Sequence, residues 1–340
     1  TIIHPGEPIV RVDAAIIQAQ LLETAIINAY CHNIAVASKA GRILLACGQD
    51  NFVEYGARRA QGPNGALEAS RASYIGGCRG TSNTQAGLSY DIPVYGTIAH
   101  SWILSYSSEA NAFRETLDFW QDQTVLLVDT YDAKTAIQTV IQIALESTTR
   151  YKIKAIRLDS GDLLELSRYA RNQLDKAGLQ DIQIMASGDL DEYKIQQLIK
   201  LNAPIDLWGV GTKLVTSYDK PAIDISYKMT ALENKAGVIE HKIKVSNTPQ
   251  KRTLPGALQV KRFTKGNTIV EDVIFDEGQP FTTKTATVDM QTHTLLQPIF
   301  VHGDYVYSSP TIHKIRQLAM TNLTNYAAQT TPTTISIDYN

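Results

Sequence analysis

Three aspartates recur at a thirty-residue interval, Asp129, Asp159 and Asp189, each where a short apolar run gives way to a polar turn. Two of those turns read Arg157-Leu158-Asp159-Ser160-Gly161-Asp162 and Ser187-Gly188-Asp189, and a third glycine turn follows at Gly209-Val210-Gly211-Thr212-Lys213. Glycine lets backbone approach a ligand closely, and the amides at a following helix start can hold an anion. A carboxylate beside them can accept hydrogen bonds from sugar hydroxyls. The ligand these residue types suit is an anionic sugar phosphate, with a ribose between Asp159 and Asp189. His100, in GTIAHSW, adds a group that is neutral and nucleophilic near pH 7, and Arg58 and Arg59 add cations. Each feature also has a plain structural counterpart. Ser-Gly-Asp is ordinary helix-capping chemistry, and Asp129 fits a cap for a helix beginning at Ala133. His100 fits a satisfied structural histidine, the arginines a solvated pair, and Cys78 a small filler in a glycine loop.

The elements that would position these residues are legible as patterns. TVLLVDT (124–130), IKAIRLD (153–159), IQIMAS (182–187) and DLWGVGT (206–212) are short, continuously apolar runs. Helical patterns separate them over 133–147, 162–177 and about 190–201, and a further strand is expected at 93–98 ahead of His100. Continuously apolar strands alternating with helices imply a parallel sheet covered on both faces. One βα unit per thirty residues favours a (β/α) barrel over a doubly wound sheet, since no glycine fingerprint marks a nucleotide crossover. In such a barrel the strand ends carry the active site. A long helix is expected over 14–40, ending at Gly41 as its C′ residue. From Ile223 the texture changes to short strands with one late helix (311–328), a second, α+β domain that also takes in the opening segment.

The chain has 340 residues, with 32 Lys and Arg against 34 Asp and Glu, a net charge of −2. That balance excludes a nucleic-acid binder held on by bulk charge. At about 100–200 residues per domain, the length suits two domains or one barrel with an appendage. No apolar run reaches the ~18–20 residues of a membrane span; the greasiest stretch, 14–37, is broken by Gln18, Gln20, Glu23, Asn28, His32 and Asn33. The first ten residues lack the features of a signal peptide. Cys31, Cys47 and Cys78 form no CxxC, fit neither a disulfide framework nor a zinc site, and suit a reducing, cytoplasmic setting.

At RLDSGDL, SGDLDE and GVGTKLVTSYDKPAIDISYKM, together with EYGARRAQGP, IGGCRGTSN, GTIAHSW and SNTPQKRTLPG in the same order, the chain closely resembles the nicotinate phosphoribosyltransferases, type II phosphoribosyltransferases of NAD salvage. The resemblance implies an irregular TIM-like α/β barrel over 43–224 and a sandwich-like α+β domain built from 1–42 and 225–340. It implies a reaction of nicotinate with phosphoribosyl pyrophosphate, giving nicotinate mononucleotide and pyrophosphate, coupled to ATP hydrolysis with Mg²⁺. By the same resemblance His100 is the histidine that ATP phosphorylates and Asp129 the carboxylate orienting it. Arg157 belongs to the base pocket, and Asp159 and Asp189 accept from the ribose hydroxyls. Gly188, Gly211 and Thr212 belong to the 5′-phosphate cradle, and Ser187 is a further substrate-binding residue. Tyr55 stacks on the pyridine ring; Arg58, and less directly Lys251, lie near the phosphates; Thr81 and Ser82 belong to the substrate loop. Nicotinamide-specific relatives place an Asp where this chain has Ser82. A carboxylate there would repel nicotinate, whereas a hydroxyl can donate to it, so nicotinate is the expected substrate.

Relatives carry a further segment ahead of the part matching HPGEPIVRV, one that donates an aromatic ring and basic residues to a neighbouring subunit's site. A homodimer with shared sites is therefore expected, without nucleic-acid or membrane partners. Three alternatives differ in class: a binding-only or impaired phosphoribosyltransferase-fold subunit, a nicotinamide-using relative, and a generic sugar-phosphate barrel enzyme. The last needs a catalytic Lys or Glu at a strand end, and none stands out.

Overall fold

The computed structural model describes residues 1–48, 50–146, 152–245, 253–282 and 289–338. They form two compact units, one of residues 32–223 and one of 1–31 with 224–340. The first boundary thus lies at 31/32, inside helix α1 (Ile16–Cys47), rather than at 42/43. The cause is the buried stripe Ala35, Val36, Lys39, Ala40, Ile43, Leu44 and Cys47, which makes the second half of α1 core of the first unit. The same burial carries the helix past Gly41 to Cys47. A mid-helix glycine costs only about 1 kcal/mol, less than burying several aliphatic side chains returns.

In the first unit β1 (Phe52–Glu54) is followed by helices α2 (Gly62–Ile75), α3 (Thr84–Tyr90), α4 (His100–Leu104) and α5 (Glu109–Trp120). Then strand and helix alternate: β2 (Val125–Leu127), α6 (Ala133–Leu145), β3 (Ala155–Leu158), α7 (Leu163–Lys176), β4 (Gln183–Ala186), α8 (Glu192–Lys200), β5 (Leu207–Val210) and the short α9 (Thr212–Val215). The five strands make one parallel sheet in the order β1-β5-β4-β3-β2. Leu126, Leu127, Ile156, Leu158, Ile184, Trp208 and Val210 are at most 1% exposed, which is why these strands read as mainly apolar runs, Arg157 in β3 being the exception that enters the site.

Two single parallel bridges, Glu54 with Thr81 and Thr81 with Val94, extend the sheet beyond β1. The strand expected at 93–98 is present only as this one bridge. Among the described residues no pairing joins Val94 back to β2, so the fold is a mixed α/β unit with an open parallel sheet and no closed barrel. The segment leading to β2 instead forms α4 and α5, whose N–H and C=O groups are satisfied within helices rather than by a ladder.

The second unit contains β6 (Ala231–Glu233), β7 (Ile239–His241), β8 (Leu258–Lys265), β9 (Thr268–Asp276), β10 (Gln291–Thr294), β11 (Phe300–Val301), β12 (Asp304–Tyr305), α10 (Ile312–Ala327) and β13 (Thr334–Asp338). Its main sheet runs β10-β8-β9-β13, antiparallel except that β13 lies parallel to β9. Its core is Val260, Phe263, Ile269, Val273, Ile274 and Phe275. Arg262 donates twice to the buried Asp272, at 2.8 and 2.6 Å. No helix among the described residues is long and apolar enough to cross a membrane.

Candidate active site at the strand ends

Arg157, on β3, is the centre of the cluster. Its Nε donates to Ser187 Oγ at 2.8 Å, one Nη to Thr97 Oγ1 at 2.6 Å and the other to Asp159 Oδ1 at 2.7 Å. Its guanidinium lies over the Tyr55 ring, 5.5 Å from the centroid. This planar fork of donors is why lysine would not substitute. Tyr55 is half-buried, and burial pushes its hydroxyl up to about 12, the Arg157 charge opposing. The Cδ2–Cε2 side of the ring lies close to the β5 backbone at Gly209, where a Cβ would come within 2.8 Å of it.

Asp159 sits where several predicted residues meet. Burial raises its carboxyl, but the Arg157 charge and the hydrogen bonds from Ser187 and Arg157 outweigh this and hold it below its ordinary value. Its Oδ2 faces His100 Nε2 at 4.0 Å. His100 opens α4, its side chain 46% exposed. The partner of His100 Nδ1 is Thr130 Oγ1, at 3.1 Å, not Asp129. Asp129 turns instead to the next turn, where its Oδ2 accepts from Asp159 N at 3.2 Å and from Ser160 Oγ at 2.5 Å. The helix at Ala133 is capped by Asp132, which frees Asp129 from that duty. Asp129 Oδ1 is buried and has no hydrogen-bond partner among the described residues.

The capping reading holds for part of the Ser-Gly-Asp pair. Asp162 caps α7, accepting from the backbone of Leu164 and Glu165, and Asp191 rather than Asp189 caps α8. Gly188 has φ +90°, and a Cβ there would lie 2.1 Å from Asp159 O, so only glycine fits. Asp189 follows, exposed and left-handed at φ +47°. Gly211 and Thr212, half-buried, join β5 to α9. Arg58, in the turn Ala57–Arg59, is exposed and pairs with none of the described residues. Lys251 lies outside the described residues. Ser82 is half-buried, whereas Thr81 is fully buried and its hydroxyl donates to Glu54.

The structure therefore brings together Tyr55, Arg157, Asp159, Ser187, Gly188 and His100, with Asp129 adjoining through Asp159 and Ser160. Sequence reasoning missed Thr97, Thr130 and Glu54. All three lie inside motifs already singled out: Thr97 three residues before His100, Thr130 one after Asp129, and Glu54 at the head of EYGARRAQGP. Glu109, the first residue of α5, is a fourth. Burial, then the charges of Asp132 and Asp129, push its carboxyl up to about 7.

A compact His-and-carboxylate group occurs elsewhere among the described residues, at His4, Glu7 and Asp272 in the second unit. Arg262 already neutralises Asp272 there with two hydrogen bonds, so the group is a buried ion-pair network rather than a metal centre.

Residues 51–293, which include every candidate residue, match the model of the nicotinate phosphoribosyltransferase (NAPRTase) family. The chain belongs to the nicotinate phosphoribosyltransferase family. A Bacillus subtilis protein named nicotinate phosphoribosyltransferase is 38% identical, over 95% of this chain and 69% of its own length. A Mycobacterium tuberculosis nicotinate phosphoribosyltransferase is likewise 38% identical, over 94% of this chain and 65% of its own. The chain thus spans about two thirds of the length of these members of the NAPRTase family. Among solved structures, the nicotinate-nucleotide pyrophosphorylase of Pyrococcus furiosus aligns with a TM-score of 0.74 at 22% identity, covering 90% of this chain and 74% of that one. Human nicotinic acid phosphoribosyltransferase aligns at 0.69 and 23%, covering 94% and 74%. At these identities the likeness is one of fold.

Proposed function

We propose that this chain catalyses phosphoribosyl transfer to nicotinate. The pyridine nitrogen would attack C1 of phosphoribosyl pyrophosphate, forming the N–C bond as the C–O bond to pyrophosphate breaks and pyrophosphate leaves with the electron pair. The observation that carries the reading is the Arg157 cluster: an aromatic face, a guanidinium and two hydroxyls converge on one point of the sheet's carboxyl edge in a chain of this family. Tyr55 would stack the pyridine, Arg157 would neutralise its carboxylate, and Ser82 would donate to it. Asp159 and Asp189 would accept from the ribose hydroxyls, and Gly188 with Gly211 and Thr212 would approach the 5′-phosphate through backbone.

Our reading extends to ATP coupling, to Mg²⁺ and to a homodimer with shared sites. His100 offers ATP an exposed imidazole whose other nitrogen meets Thr130, so Nε2 would be the nitrogen that takes the phosphoryl group. The unpartnered Asp129 Oδ1 suits a hard cation, and Mg²⁺ there would neutralise charge on the departing pyrophosphate. The test is an assay with phosphoribosyl pyrophosphate and Mg²⁺ plus nicotinate, nicotinamide or quinolinate, with and without ATP. The expected result is mononucleotide from nicotinate alone, faster with ATP, with His100→Ala losing only the ATP stimulation. Turnover of nicotinamide at the same rate, or none with nicotinate, overturns the reading.

A further inference from the structure

Glu54, the last residue of β1, is a carboxylate with 0% exposure, and among the described residues no cation pairs with it. Burying an unpaired carboxylate is expensive unless donors surround it. Here three neutral donors do so. The Gly56 N–H meets Oε1, while Ser70 Oγ at 2.9 Å and Thr81 Oγ1 at 2.5 Å meet Oε2. A carboxylate only accepts, so it fixes the Thr81 hydroxyl as a donor, while the single Ser70 proton is shared between Glu54 and Ala66 O, each at 2.9 Å. The Thr81 oxygen is then left to accept from Asn83 N–H, at 2.9 Å. The main chain repeats the tie: Glu54 N donates to Gly80 O at 3.0 Å, and Ser82 N donates to Glu54 O at 2.9 Å. Next along the strand, Tyr55 N is held by Val210 O at 2.8 Å. One buried side chain therefore joins the segment carrying Tyr55 to the segment carrying Ser82, beside a single parallel bridge between Glu54 and Thr81 and a bond from Arg79 N to Phe52 O at 2.9 Å.

We propose that Glu54 is a positioning residue for base recognition, setting the register between the Tyr55 ring and Ser82 without touching the substrate. This rests on the proposed nicotinate site. Glutamine keeps the shape but turns an NH₂ toward groups that are themselves donors, so the network must invert or break at one point. The test compares wild type with Glu54→Gln and with Ser70→Ala, which removes one donor and keeps the carboxylate. The expected result is a nicotinate KM raised about tenfold in both variants. The KM for phosphoribosyl pyrophosphate should stay within about twofold, and preference over nicotinamide should shrink. KM values that rise together with a falling Tm mark a merely structural role and overturn the proposal, as does an unchanged nicotinate KM. If Glu54→Gln does not fold, Ser70→Ala carries the same comparison. If wild type forms no mononucleotide, the functional reading fails on its own. Calorimetric titration of nicotinate into wild type and variants then decides this one, and equal Kd values, or no binding to wild type, overturn it.

Discussion

Among single residues, Glu109 shows most directly how the cluster stores unfavourable charge. Its Oε1 is buried without a hydrogen-bond partner among the described residues, and burial together with Asp132 and Asp129 raises its carboxyl from 4.5 to about 7. Between those values the folded protein keeps a proton that the unfolded chain has released. Stability attributable to this group therefore falls as pH rises from about 4.5 to about 7, and the loss is complete above that. Glu109→Gln should raise Tm near pH 8 and leave it unchanged near pH 4.5, which thermal melts across that range will check. An equal shift at both ends would place the effect elsewhere than in ionisation. Arg157, Asp159 and Ser187 were legible in the sequence because each stands in a strand-ending motif, whereas Tyr55 came only from the family resemblance, β1 being too short to show as a strand. Thr97 was not, since it reaches Arg157 across sixty residues of chain, and hydroxyls carry no signal until tertiary structure closes around them. Glu54 was hidden for a similar reason: nothing in EYGARRAQG says that the carboxylate points inward.

Among elements, the β2–α6–β3–α7–β4–α8–β5 alternation was readable from sequence because two-sided burial writes itself as uninterrupted apolar strands. The helix starts were readable as carboxylates but assigned in part to the wrong ones, since Asp132 and Asp191, five residues beyond the last residues of β2 and β4, hold the caps. The long first helix was misjudged at its end, where burial outweighed the glycine. That same stretch carries a buried ionic staple. Lys39 is 1% exposed; its Nζ lies 2.7 Å from Glu192 Oε2 on α8 and 2.6 Å from Asp219 Oδ1. Arg42 pairs with the same two carboxylates at 2.8 and 2.7 Å. Removing one member leaves Glu192 sequestered with half its compensation. Lys39→Met should cost about 3–5 kcal/mol in denaturant unfolding, and Lys39→Met with Glu192→Leu should recover most of it. Additive losses in the double variant would show that packing, not charge, is what α8 needs from Lys39.

For the molecule as a whole, a net charge of −2 sits beside a site proposed to hold a highly anionic substrate. Attraction must then be local, from Arg157, Arg58, backbone amides and metal, rather than from a long-range field. At constant free Mg²⁺, the KM for phosphoribosyl pyrophosphate should change less than about threefold between about 50 and 200 mM salt. A steeper dependence in steady-state kinetics would reveal a surface field that the composition does not suggest. The open edge of the sheet was beyond sequence reasoning, because one bridge at Val94 and a full strand have the same residue pattern. The three aspartates thirty residues apart hold one address on successive βα units, yet they are not interchangeable. Asp189 is open to solvent, Asp159 is locked by a guanidinium, and Asp129 is half sequestered with one oxygen to spare. A repeated slot has become three unlike acceptors: one facing solvent, one already committed to a cation, and one offering a single buried oxygen.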